Sequence, residues 1–193
     1  MPGRIAIVLL LFLGLAAPGA WTRADDAAQA ARPPGVWVDV PFVRQRQPNA
    51  CGAASLSMLM RYWEKRLHEP PSPRGSQKFI DRRLDPHDRG ILNTAMAGYL
   101  RASGYRVFTF SGRWRDLREN LAKGRPLVVG LGPAGKRGPR HYVVVAGIDW
   151  QRNFVFVNDP AERKLFRMTR RQFQAEWRVT HNWTLLAVPK EPA

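Results

Sequence analysis

The sequence predicts an α+β fold, on two observations. Apolar residues recur at helical spacing through the first half of the chain, and from about residue 126 they fall into short strand-like runs separated by turn residues. Helices first and antiparallel strands later exclude a doubly wound sheet, in which the two would alternate. The 193 residues, 45% hydrophobic with 7 Trp, are one domain's length and suffice for a substantial core. Gly and Pro number 16 each, but the sequence between them is strongly patterned, which excludes disordered and collagen-like classes. A single Cys excludes a disulfide scaffold.

Residues 1–24 read as a secretory signal: Arg4, then an apolar run of about 13 residues from Ile5 to Ala17, then small residues at Ala20 and Ala24. A spanning helix needs roughly 20 apolar residues, so a retained anchor is the weaker reading, and the mature chain is not expected to cross a membrane. Residues 25–35 are rich in Ala, Asp and Pro and read as a flexible tether, and the folded domain is expected over 36–190. Its first strand is expected at Val36 to Pro41. Apolar positions Ala54, Met58, Leu59, Tyr62 and Trp63 predict a helix from Cys51 to about Leu67, buried on one side. Residues 68–89 hold four Pro and many charges without periodicity, and are expected to be a loop.

Helices are then expected at Gly90 to Ala102 and at Trp114 to Lys123, each closed by a Gly, with a strand at Tyr105 to Phe110 between them. Strands follow at Pro126 to Leu131, His141 to Ile148, Phe154 to Asn158 and Lys164 to Met168, with a hairpin turn at Trp150 to Asn153. Thr169 and Gln172 have the spacing of a capping box opening a short helix to Trp177, and Trp183 to Val188 is the last strand. No internal repeat is visible.

Three segments concentrate the chemistry. In Gln45-Arg-Gln-Pro-Asn-Ala-Cys51-Gly52-Ala-Ala-Ser a lone Cys opens a helix, where the dipole favours an anion and small neighbours admit a substrate. In Arg140-His141-Tyr-Val-Val-Val-Ala-Gly a His stands at a strand start, a rigid mount for a base. In Val157-Asn158-Asp159-Pro160 an Asp follows the next strand, and in an antiparallel hairpin it reaches back to His141 and can fix its tautomer. Asp85-Pro-His87-Asp88 reads as a turn rather than a metal site, His68 and His181 as surface residues, and Gly130 to Gly135 as a loop bordering the site. No metal and no cofactor is expected.

These residues give the chain a resemblance to papain-like cysteine peptidases of the bacteriocin-processing type, family thirty-nine, over Val38 to Val188. The resemblance implies a papain-like fold, with an N-terminal helix bearing the Cys packed on an antiparallel sheet. It also implies that Gln45, six residues before Cys51, serves the oxyanion, and that Cys51, His141 and Asp159 form a triad. Gln47 is equally close in sequence, but it adjoins Pro48 and is expected to face solvent. Ala50 stands where that family usually has Asp.

The expected function is therefore an exported cysteine peptidase, periplasmic or secreted, acting on a peptide or protein through an acyl-enzyme. Acyl or amide transfer on the same triad is the alternative within enzymes, and a module binding peptides or anionic surfaces the alternative outside them. The 31 Lys and Arg against 15 Asp and Glu give a net charge of +16; cleavage after Ala24 leaves +14. Such a charge suits an anionic cell-envelope surface. The basic residues are scattered without interleaved aromatics, so dedicated nucleic-acid binding is not expected.

Overall fold

The computed structural model describes residues 34–135 and 140–190. The expected signal segment 1–24 and nearly all of the tether 25–35 lie outside the described residues, as do 136–139.

Among the described residues seven antiparallel strands make one sheet: β1 (Gly35–Trp37), β2 (Tyr105–Ser111), β3 (Leu127–Leu131), β4 (His141–Asp149), β5 (Phe154–Asn158), β6 (Phe166–Thr169) and β7 (Trp183–Pro189). Their order is β2-β7-β3-β4-β5-β6, and β1 lies against the end of β4, with Gly35 opposite Asp149. The central strands β3 and β4 are buried almost throughout, which is why they read as continuous apolar runs in place of alternation.

Helix α1 (Cys51–Arg66) packs on the sheet. Two side chains fix it there: Ser55 Oγ donates to the Tyr142 carbonyl at 3.1 Å, and Trp63 Nε1 donates to the Ala187 carbonyl at 3.0 Å. The remaining helices are α2 (Gln77–Leu84), α3 (Asn93–Ala102), α4 (Trp114–Ala122) and α5 (Arg170–Arg178).

Three expectations need correction. Helix α1 is buried on all sides over its first ten residues, not on one. The cover comes from the segment expected to be a loop, which contains a short 3-10 turn at Pro73–Gly75 and the two-turn α2. Ser57 Oγ of α1 donates to the Gly75 carbonyl at 2.7 Å, and Glu64 Oε1 accepts from the Ser72 amide at 2.9 Å. Helix α2 leaves no periodic signature because its only fully buried apolar side chain is Ile80; its start is set by Ser76, whose hydroxyl accepts from the Phe79 amide. Of the box at Thr169, one half forms: Thr169 Oγ1 accepts from the Gln172 amide, while the Gln172 side chain turns forward to Glu176.

Candidate active site

Cys51 is the first residue of α1, and the loop before it is tied down from three directions. From the β5–β6 loop, the Pro160 carbonyl accepts from the Gln45 amide at 2.9 Å, and the Ala161 and Glu162 carbonyls accept from the Arg44 guanidinium. From α2, the Gln77 amide group donates to the Arg44 carbonyl and accepts from the Arg46 amide. From within, Gln45 Nε2 donates to the carbonyls of Gln47 at 3.1 Å and Pro48 at 2.9 Å. Ala50 at the N-cap has no side chain that could cap the helix, and the amides of Cys51, Gly52 and Ala53 have no hydrogen-bond partner among the described residues. A capping carboxylate there would fill the space in front of those donors; alanine leaves them open to a ligand.

His141 is the first residue of β4, and Asp159 immediately follows β5, its hairpin partner. His141 Nε2 lies 2.7 Å from Asp159 Oδ1, which also accepts from the Ala161 amide at 2.9 Å. Cys51 lines the same cavity as this ring, and its sulfur acts on the titration of the imidazole. With Nε2 committed to the carboxylate, Nδ1 is the nitrogen left for sulfur. Burial of the ring pulls its pKa down, but the hydrogen bond it donates to Asp159 and the charges of Asp159 and Cys51 outweigh this and push it up to about 9. Burial likewise raises Asp159, and the His141 hydrogen bond and charge more than offset it, holding the carboxyl below its ordinary value. The sequence-predicted Cys51, His141 and Asp159 are thus together. Gln45 is beside them in the fold but presents no free N–H, because its amide nitrogen serves the loop.

Neighbouring residues that pattern reasoning missed complete the surroundings. The segment 85–92 folds beside Cys51, held by the Asp85 carboxylate, which accepts from the Arg89 and Gly90 amides at 2.8 and 2.6 Å. Asn49 Nδ2 donates to the Asp88 carbonyl at 2.8 Å, joining that segment to the loop before Cys51. The Asp-Pro-His-Asp stretch is therefore a turn built on Asp85, as its residue types imply. Tyr142 donates its hydroxyl to Asn93 Oδ1. Gly52 passes under Ile91 and Tyr142 so closely that a Cβ there would stand 3.2 Å from Ile91 Cβ. Asn158, next to Asp159, is fully buried and spent elsewhere: its side chain donates to the Val40 carbonyl and accepts from the Leu165 amide.

His141 stands between two cavities. One, of about 440 Å³, contains Cys51; the other, of about 310 Å³, contains Asp159 with Leu131, Gly132, Pro133 and Glu176. Two larger depressions of about 610 and 680 Å³ lie at the far end of α1, beside Tyr62 and Trp63 respectively, and hold no thiol beside an imidazole. Among the described residues no cluster of His, Cys, Asp and Glu fits a metal, and no helix is long and apolar enough to cross a membrane.

Residues 37–184 match the profile of the Peptidase_C39 like family, well over half of the chain. The chain belongs to that family. It is accordingly a C39-like cysteine peptidase. No curated protein matches the sequence. Among solved structures, it is similar to a protein described as a C39-like peptidase from Bacillus anthracis, at 14% identity and a TM-score of 0.65 over 82% of this chain and 99% of that one. A double glycine motif protease from an AMS/PCAT transporter, in complex with the leader peptide, matches at 18% identity and a TM-score of 0.56 over 80% and 95%. Xylellain, a cysteine protease from Xylella fastidiosa, matches at 15% identity and a TM-score of 0.52 over 86% and 89%. At these identities the likeness is one of fold, and the fold is papain-like, with Cys51 on the helix packed against the sheet.

Proposed function

We propose that this C39-like chain is an exported peptidase that hydrolyses peptide bonds through Cys51, His141 and Asp159. The observation that carries the reading is the imidazole of His141, hydrogen-bonded at Nε2 to Asp159 and lining one cavity with Cys51. The proton shared by Cys51 and His141 rests on the imidazole, which is cationic below about pH 9, and Sγ attacks the carbonyl carbon as a thiolate. The oxygen takes up the negative charge facing the open Cys51 amide and the Gln45 side chain, one of whose N–H groups exchanges a loop carbonyl for the oxyanion. The intermediate collapses, breaking the C–N bond, and the imidazolium of His141 protonates the leaving amine. Water then gives a proton to His141 and attacks the thioester carbon, releasing the acid and returning the thiolate beside the imidazolium. Asp159 keeps the ring oriented and its cation favoured. A peptide as substrate is supported by the solved relative in complex with its leader peptide.

Iodoacetamide at neutral pH should modify Cys51 and abolish hydrolysis of a peptide pool, and Cys51→Ala should be inactive with an unchanged circular-dichroism spectrum. Hydrolysis that survives in Cys51→Ala would sink the assignment. Products carrying an added amine in place of water would turn the reading to amide transfer. Peptide retention without turnover would make the chain a binding module.

A further inference from the structure

The cavity on the Cys51 side of His141 has a composition that the proposed reaction does not call for. Its wall is formed by Asn49, Cys51, Arg89, Leu92, Arg140 and His141, with backbone and apolar surface between them, and it includes no Asp or Glu. Both arginines are exposed, and neither makes an ion pair among the described residues. They reach the cavity from different elements, Arg89 from the 85–92 segment and Arg140 from the residue before β4, so two independent backbones converge on one space.

Neither acid of the 85–92 segment lines this cavity. The Asp85 carboxylate is spent on the Arg89 and Gly90 amides. Both Asp85 and Asp88 lie near enough to Asp81 to affect its titration, and Asp81 and Asp85 line a separate depression beside Lys78 and Arg82. The cavity across His141 has the opposite character: its one charged lining residue besides His141 and Asp159 is Glu176. Charge therefore changes sign from one side of the imidazole to the other. A guanidinium binds a carboxylate through charge-assisted and often bidentate hydrogen bonds, and two of them at one mouth favour an anion over a neutral isostere.

We infer that the cavity beside Cys51 receives a carboxylate of the substrate peptide, held by Arg89 and Arg140 next to the bond that is cut. This rests on the peptidase reading. The carboxylate can come from an Asp or Glu side chain or from the peptide's free C-terminus, and Leu92, 73% exposed at the rim, offers an apolar contact to the adjoining aliphatic part in either case.

The test uses the purified protein and matched peptide pools: end-blocked peptides containing Asp and Glu, the same peptides with Asn and Gln, and a third set with free or amidated C-termini. Cleavage rates at low substrate give kcat/KM ratios within each enzyme, so a general loss of activity in a variant cancels. The wild type should prefer one acidic form over its neutral counterpart by about tenfold, the scale of two partly exposed ion pairs. The Arg89→Gln, Arg140→Gln double variant should bring that ratio near unity, and raised salt should shrink it in the wild type. Preference for acidic side chains in end-blocked peptides assigns the pocket to a side chain; preference confined to free over amidated C-termini assigns it to the terminal carboxylate. Cleavage with the same acid-to-amide ratio in wild type and double variant would overturn the inference and leave the peptidase standing. Absence of both cleavage and Cys51 alkylation would remove the peptidase and the inference together.

Discussion

The His141–Asp159 contact sets a window of pH. His141 is held at about 9 against an ordinary 6.5, so the stability contributed by its protonated form is fully present below 6.5 and lost as pH rises through 9. Asp159 is held below its ordinary 3.8, so its contribution is present above that value and lost as pH falls through the lowered one. The charged pair thus persists from about pH 4 to about 9. Hydrolysis by the proposed mechanism should show an alkaline limb near pH 9 in kcat/KM. Asp159→Asn removes the carboxylate's charge and its share of the upward push, so the limb should move down by about a unit or more and kcat should fall by orders of magnitude, with little change in melting temperature. An unmoved limb would mean that Asp159 is only a turn residue. Asn158 could not take over its role, being committed to Val40 and Leu165. The placement of Cys51, His141 and Asp159 was legible in the sequence because a helix start, a strand start and a strand end are local patterns, and hairpin geometry joins the last two. The hydrogen bonds of the Gln45 amide were not legible, because they depend on how a loop of no regular structure folds back on its own carbonyls.

At the scale of elements, the segment 68–89 was where pattern reading failed, and it bears directly on the site. Helix α2 covers the outer face of α1, and its Gln77 clamps the backbone on both sides of Gln45. Two turns with a single fully buried apolar side chain give periodicity nothing to detect, and the prolines around them read as loop. Only the Ser76 cap was there to be found. The arrangement has a cost in Asp81, whose carboxyl is raised to about 6 by burial and then by the neighbouring charges of Asp85 and Asp88. An acid raised in the fold favours the folded state when protonated, so this contribution is present below the unfolded value of 3.8 and is lost as pH rises through about 6. Asp81→Asn should therefore stabilise the protein at pH 7, by about 1 kcal/mol once solvent screening of a half-buried group is allowed for. At pH 4 the gain should vanish. Denaturant titrations at the two pH values measure the difference, and an equal effect at both would show that packing, not charge, governs the site.

For the whole molecule, the described sheet begins at a distance from the proposed site. The first described pairing is Gly35 with Asp149, and Trp37 with Gly147 completes β1. These contacts fall at the far end of β4 from His141. A cut after Ala24 would leave about ten residues ahead of β1 and take away two arginines and no acid, so the remaining chain keeps a net charge of +14. That charge would draw it toward the anionic surfaces of a cell envelope once exported, with an attraction that weakens as salt rises. The export reading rests on Arg4, the apolar run from Ile5 to Ala17 and the small residues at Ala20 and Ala24, a pattern whose apolar run is about seven residues short of a membrane span. Protein recovered from the envelope or the medium of the native cell should accordingly begin between Trp21 and Asp25, which intact-mass spectrometry resolves to the residue. The same preparation should retain full hydrolytic activity, because no residue of the proposed site lies before Gln45. A species that still begins at Met1 in the active fraction would make the segment an uncleaved part of the working protein and return the exported reading to doubt.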